Sequence, residues 1–121
     1  FKPDEATLQK AIDSGISKIN ISHNPTEAIL NADIVYTDVW ASMGQKDEAA
    51  EREKLFSSFQ VNEDLIEKSG KKTFFMHCLP AHREEEVTSE VMDGANSVVF
   101  DEAENRMHAQ NAIMVKIAGK A

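Results

Sequence analysis

Apolar and polar positions along this chain fall into short stretches of two kinds. From Asp4 to Ser14, Leu8, Ala11 and Ile12 recur at helical spacing on one face, and Gly15 stops the pattern. Lys18-Ile19-Asn20-Ile21-Ser22 alternates instead, as a half-buried strand does. Asn24-Pro25 opens a second helix. Asn24 stands as the cap, Pro25 takes the first helical position, where a missing N–H costs nothing, and Glu27 follows three residues after the cap. Ala28, Ile29 and Ala32 make its apolar face. A second strand is predicted from Ile34 to Trp40, followed by a polar stretch from Ser42 to about Glu48. Ala49 to Phe56 and Asn62 to Lys68 read as helices, the latter capped by Asn62. Thr73 to Cys78 is a third strand, Glu84 to Met92 a helix ended by Asp93-Gly94, and Ser97 to Phe100 a fourth strand. Ala103 to about Ala118 forms a last, longer helix.

Strands that alternate with helices pair in parallel, because each return to the sheet needs a crossover. The pattern predicts an α/β fold, three-layer αβα with a mostly parallel sheet. The sheet reads as incomplete, since a helix precedes the first strand. The 121 residues are therefore expected to be a single domain and the later part of a larger one.

Composition narrows the partners. Thirteen Lys and Arg stand against 21 Asp and Glu, a net charge of -8. Nucleic acids and anionic membranes both select clustered positive charge, so neither is an expected partner. No apolar run approaches the ~20 residues of a membrane span, and residues 1–15 read as a polar, acidic helix rather than a signal peptide. A single cysteine excludes an internal disulfide and fits a reducing compartment, so a cytoplasmic protein is expected.

Ligands of open parallel sheets bind beyond the carboxyl ends of the strands. Four such ends carry polar chemistry here. The first offers Ser22, His23 and Asn24; the second Asp38, Ser42, Met43 and Gly44. The third offers His77, Cys78, His82 and Arg83; the fourth Asp101, Glu102, Glu104, Asn105 and Arg106. Chain order alone thus gathers a carboxylate, a thiol, hydroxyls and guanidinium groups on one rim, a site for a small polar ligand. Plainer readings stand beside this one. A lone cysteine is usually a small buried hydrophobe, Asp38 could cap a turn, and Ser42-Met43-Gly44 could be a surface loop. His23 and His108 read as surface or capping residues, and Glu84-Glu85-Glu86 as a solvated helix start. His77 and Cys78 are adjacent in a strand, so they point to opposite faces and could not hold one metal ion without a bend. No metal or cofactor is expected. Arg106 is placed near a helix start, where the dipole disfavours a cation; an anionic or carbonyl ligand would explain it.

Three motifs give the rim a family. Asp38-Val39-Trp40-Ala41-Ser42-Met43-Gly44, His77-Cys78-Leu79-Pro80 and Glu104-Asn105-Arg106-Met107-His108 together resemble ornithine carbamoyltransferases, and the likeness runs from Pro3 to about Met114. The resemblance implies a Rossmann-like domain and transfer of the carbamoyl group of carbamoyl phosphate to the δ-amino group of L-ornithine, giving citrulline and phosphate. It also implies two α/β domains per subunit and trimeric assembly, with this chain as most of the second, ornithine-binding domain beside an amino-terminal carbamoyl-phosphate domain. By matching residues, Asp38, Ser42 and Met43 would hold the amino-acid end of ornithine. Cys78 and Leu79 would line the carbamoyl phosphate site, with Cys78 near the reacting amine. Arg106 would donate to the carbamoyl carbonyl, where charge grows in the transition state. Only the neutral amine attacks, so Cys78 is also a candidate general base. The polar stretch from Ser42 to about Glu53 would be a lid over the cleft.

The resemblance has gaps. The family's Ser-Thr-Arg-Thr and His-Pro-Thr-Gln motifs are absent, and the chain's arginines are Arg52, Arg83 and Arg106, too few for a phosphate clamp. These residues alone are not expected to catalyse the reaction. Rival readings are a carbamoyltransferase for putrescine or an N-acylated ornithine, aspartate carbamoyltransferase, a non-catalytic amino-acid-binding domain, and a receiver-like signalling domain. Asp38 with Ser42-Met43-Gly44 speaks against putrescine, which has no amino-acid end to grip.

Overall fold

Most helices of the chain start on a side-chain cap, which occupies backbone N–H groups that the first turn leaves unpaired. The computed structural model describes residues 2–41 and 49–119. Helix α1, Glu5–Asp13, begins on Asp4, whose carboxylate accepts the Thr7 N–H at 2.8 Å. Asn24 accepts the Thr26 N–H at 3.1 Å and opens α2, Pro25–Ala28. Strand β1, Ile34–Thr37, follows, then α3, Ala49–Phe56, and a 3-10 turn, Ser57–Phe59. Asn62 caps α4, Glu63–Glu67, through the Leu65 N–H at 2.9 Å. Strand β2 spans Phe74–His77, and Thr88 opens α5, Ser89–Met92. Helix α6, Val99–Ile117, is the longest.

The α/β class and the parallel pairing hold. Strands β1 and β2 run parallel in the register Ile34↔Phe74, Val35↔Phe75, Tyr36↔Met76 and Thr37↔His77. That register brings the two strand ends side by side, so Asp38 follows β1 where Cys78 follows β2. Under the sheet, Phe75 (2 % exposed) packs with Val61, Val87, Val91, Met92 and Val99, and Leu79 and Ala81 close over this cluster. The core therefore anchors β2 directly beneath the Cys78 turn.

Several expected elements differ: β1 stops at Thr37 instead of Trp40, α6 starts at Val99 instead of Ala103, and three others change more. Lys18 to Ser22 forms no regular element and pairs with no strand among the described residues, and Ile19 and Ile21 remain exposed. Alternation describes a strand only where a neighbour supplies a ladder, and here none does. Ser97 to Phe100 is not a fourth strand. The chain touches β2 through one parallel bridge, Phe75↔Ser97, with Val98 N–H donating to the Phe75 carbonyl at 3.0 Å, and enters α6 at Val99. The expected helix from Glu84 is confined to Ser89–Met92. Residues before it form a tight turn in which Val61 N–H donates to the Glu86 carbonyl at 2.9 Å, and Glu84 N–H to the Val87 carbonyl at 2.8 Å. Glu84-Glu85-Glu86 is therefore no solvated helix start. The Glu84 carboxylate does accept the Ser89 N–H at the head of α5, but Glu86 is fully buried.

Candidate functional site

Asp38 and Arg106 both reach Cys78 at the carboxyl ends of the strands, and Cys78 and Arg106 line a cleft of about 340 Å³ with Tyr36, Glu102 and Asn105. Three elements bring them there. The strand register sets Asp38 beside Cys78, and the Cys78 thiol donates to Asp38 Oδ1 at 3.1 Å. Asp38 Oδ1 also accepts the Val39 N–H at 2.7 Å, which orients the carboxylate. Helix α6 crosses the strand ends and presents Glu102 and Arg106, one turn apart, to the same opening. Arg106 donates to the Cys78 carbonyl at 3.5 Å, the long end of a hydrogen bond.

Arg106 is not near a helix start, as its sequence position suggested. Because α6 begins at Val99, the guanidinium lies two turns in, and Asp101 and Glu102 take the first turn that the dipole favours for acids. The dipole of α6 therefore does not set Arg106 apart. What recommends Arg106 is its place in the cleft and its carbonyl partner.

The electrostatics of the cleft are acidic. Burial pushes the Cys78 thiol above its ordinary pKa, and the Asp38 carboxylate adds to that, while the Tyr36 hydroxyl works the other way. Cys78 is thus a protonated donor at neutral pH, not a standing thiolate. Tyr36 donates to Glu102 Oε1 at 2.9 Å, and this bond pushes its phenol up to about 12. Glu102 Oε2 is buried and has no hydrogen-bond partner among the described residues.

Buried contacts behind the cleft shape the turn after β2. Leu79 has φ 55°, a left-handed backbone that costs a non-glycine residue about 1–2 kcal/mol. His77, fully buried, accepts the Leu79 N–H on Nδ1 at 2.9 Å. Since Nδ1 accepts, the ring proton sits on Nε2, which faces Glu86 Oε1 at 3.2 Å. The same Glu86 oxygen accepts the His82 N–H at 2.6 Å. Donor atoms of Asp38, His77 and Cys78 lie within 4.8 Å of one another, so the strand does bend as a shared metal would need. Both ring nitrogens of His77 are already engaged, however, and the imidazole has no lone pair to offer.

Several rim residues lie elsewhere. Ser22 and His23 line a separate groove with Leu8, Leu55 and Phe59. Arg83 makes a bidentate pair with Asp93 at the end of α5, which raises the guanidinium's pKa and holds the Asp93 carboxyl below its usual range. His108 faces Glu104 Oε1 at 3.2 Å on the surface of α6. Ser42, Met43 and Gly44, with most of the expected lid, fall outside the described residues. On either side of that stretch, Arg52 on α3 donates to the Trp40 carbonyl at 3.2 Å, and the Trp40 and Phe56 rings lie 6.5 Å apart. Sequence reasoning missed Tyr36 and Glu86, and it placed His77 on the rim without its role of holding the Leu79 amide. Thr88 was the available signal for Glu86, because a cap there starts the helix at Ser89 and leaves the glutamate in a turn.

Comparison with known proteins decides the family. Residues 1–117 match the family model described as Aspartate/ornithine carbamoyltransferase, Asp/Orn binding domain. The chain belongs to that family. The chloroplastic ornithine carbamoyltransferase of Pisum sativum is 60% identical over 120 residues, which is 99% of this chain and 32% of the pea protein. The ornithine carbamoyltransferase of Pyrococcus abyssi is 53% identical across 98% of this chain and 38% of its own length. The solved structure of the Pyrococcus furiosus enzyme superposes with a TM-score of 0.83 at 52% identity, covering 95% of this chain and 38% of that one. The fold of this carbamoyltransferase-family chain is therefore the Rossmann-like one of those relatives. The chain spans about a third of the length of the relatives it matches.

Proposed function

We propose that this chain is the ornithine-binding domain of a carbamoyltransferase subunit that converts carbamoyl phosphate and L-ornithine to L-citrulline and phosphate. The observation that carries the reading is the convergence of Asp38 and Arg106 on Cys78 at the strand ends. Asp38 pairs with the α-ammonium of ornithine, a charge-assisted bond added to the one from the thiol. Ser42 and Met43 add hydrogen bonds to the same end, and the stretch they belong to closes over the bound amino acid. The neutral δ-amine attacks the carbamoyl carbon, the C–N bond forms, and the carbonyl electrons move to oxygen. Arg106 already donates to a carbonyl, that of Cys78, and turns to the substrate carbonyl to hold this charge. Collapse breaks the C–O bond to phosphate, which leaves with the bonding electrons and takes up the proton that the nitrogen loses. Cys78 and Leu79 line the carbamoyl phosphate side. A thiol held protonated is a poor base, so Cys78 acts first as a donor that orders the cleft.

The phosphate clamp belongs to an amino-terminal partner domain. The apolar side chains that α6 leaves exposed, among them Phe100, Met107, Met114 and Ile117, suit a surface that such a partner covers. The subunit works as a trimer in arginine metabolism in the cytoplasm, although the pea relative carries a chloroplast designation. Among the described residues no helix is long and apolar enough to cross a membrane.

The test is citrulline formation by the full-length protein and by these residues alone, with L-ornithine, putrescine and N-acetyl-L-ornithine in parallel. Activity of the full-length protein with ornithine alone is expected. Turnover of putrescine at a comparable rate would overturn the roles given to Asp38, Ser42 and Met43.

A further inference from the structure

We propose that Glu86 is a positioning residue of this site: it holds the His77 ring and, through it, the Leu79 amide, so that the Cys78 thiol faces Asp38 and the Cys78 carbonyl faces Arg106. The inference rests on the carbamoyltransferase reading for its kinetic consequence, but not for its geometry. Glu86 comes from the turn before α5 and touches nothing in the cleft. It is fully buried, 0% exposed, as is His77. An unpaired carboxylate is costly to bury, so a glutamate held there needs partners that fix it. Its Oε1 has two, the His82 N–H at 2.6 Å and His77 Nε2 at 3.2 Å. Oε2 has none among the described residues.

The line of contacts has one direction. Leu79 N–H is a donor and can only give its hydrogen to Nδ1 of His77, 2.9 Å away. That places the ring proton on Nε2, where only an acceptor is a favourable neighbour, and Glu86 Oε1 is that acceptor. A ring turned over, or shifted, leaves Leu79 N–H unpaired at a residue whose φ is 55°. The left-handed turn would then relax toward ordinary backbone, and the residue before it would swing. Cys78 is that residue. Its thiol lies 3.1 Å from Asp38 and its carbonyl 3.5 Å from Arg106, so both contacts of the cleft depend on how the turn is held. A carboxylate from a charge run that composition assigns to solvent therefore sets the position of the reacting groups.

The experiment uses the full-length protein with Glu86→Gln, Glu86→Ala and His77→Gln, each studied well below its melting temperature. Two quantities are measured: kcat and KM for ornithine, and the rate at which iodoacetamide labels Cys78, read by mass spectrometry. Glu86→Gln keeps an acceptor oxygen for both donors, and its kcat and labelling rate should stay within about threefold of wild type. Glu86→Ala should lose kcat on the order of tenfold to a hundredfold, as misplacement of reacting groups does, with a smaller change in KM. Its Cys78 should label faster, because the thiol no longer sits on Asp38. His77→Gln reaches the Nε2 position but offers Leu79 no acceptor, and should resemble Glu86→Ala even where the latter fails to fold. Wild-type kcat and labelling in folded Glu86→Ala, or in His77→Gln, would overturn the inference. The labelling arm needs no turnover. A wild-type protein without citrulline activity would sink the proposed function, while unchanged labelling would sink the positioning role.

Discussion

Replacing Asp38 with Asn isolates the charge that is proposed to grip the amino acid. The substitution keeps the size of the side chain and one acceptor oxygen, so the Val39 N–H, now 2.7 Å from Oδ1, retains a partner. What disappears is the charge opposite the α-ammonium. A hydrogen bond to a charged group is worth about 1.5–3 kcal/mol net, and about 1.4 kcal/mol is a factor of ten. Asp38 is exposed in the unliganded chain, and solvent screens an exposed pair, so the lower end applies unless the cleft closes over the ligand. The KM for L-ornithine should rise about tenfold with an open cleft and toward a hundredfold with a closed one. The KM for carbamoyl phosphate should hardly move. Initial rates of citrulline formation by the full-length protein, with each substrate varied in turn, give both numbers. The thiol supplies a second readout. After burial, the Asp38 carboxylate is the main reason that Cys78 ionises late. Removing the charge lowers the thiol's pKa toward its ordinary value, so iodoacetamide should label Cys78 faster at a fixed, mildly alkaline pH. An unchanged ornithine KM would refute the grip, whatever the labelling does.

Cys78→Ala should lower kcat tenfold or more by removing the donor that orders Asp38, and full activity in that variant would eliminate any role for the thiol. Phe75→Ala empties the centre of the core beneath β2 and should cost about 3–5 kcal/mol, seen as a lower urea midpoint; an unchanged midpoint would mean that this cluster does not anchor the strand. Arg83→Ala should destabilise at neutral pH only. The Arg83 partner lowers the folded-state pKa of Asp93, so its contribution is present above the ordinary carboxylate range and fades as pH falls through the depressed value. Urea midpoints of wild type and variant should therefore converge in acid, and a gap that stays constant with pH would contradict the pairing.

The sequence carried the parts of this structure that local chemistry decides. Asp4, Asn24 and Asn62 are caps whose side chains meet their own next turn, so no distant partner is needed to see them. The pairing of Asp38 with Cys78 was legible for a different reason: parallel strands in an α/β order leave their carboxyl ends together, and the register completes the contact. Lys18 to Ser22 failed because alternation states a preference and the partner edge decides the outcome. Val98 and Val99 are β-branched and read as strand, yet Val99 is fully buried as the first residue of α6, so burial outweighed propensity. Glu86 was the most misleading residue. Three glutamates in a row look solvated, and nothing in a linear reading says that one of them meets a histidine nine positions earlier.

The early start of α6 also bears on which amino acid this family member takes. The family description covers aspartate and ornithine alike. Had the strand run on to Phe100, the helix would begin near Ala103 and Glu102 would precede it. As the chain actually folds, Glu102 and Arg106 stand one turn apart on the face toward Tyr36 and Cys78. Among the described residues, the ionisable groups in and beside the cleft are then two carboxylates, Asp38 and Glu102, and one guanidinium, Arg106, beside a protonated thiol. That sum is negative. L-Ornithine, the proposed substrate, would enter with a net positive charge and meet it; L-aspartate would bring a second carboxylate to a cleft whose one described cation is the group proposed to face the carbamoyl oxygen. Like charges in a cleft with partial burial repel more than they would in bulk water, since the effective dielectric is lower. The full-length protein should therefore carbamoylate ornithine and leave aspartate untouched at any practical concentration. Glu102→Gln should raise the ornithine KM without making aspartate a substrate, because removing one negative charge supplies no cation for the second carboxylate. Aspartate turnover by the wild-type protein at a rate near that with ornithine would show that the charge of this cleft does not choose the substrate.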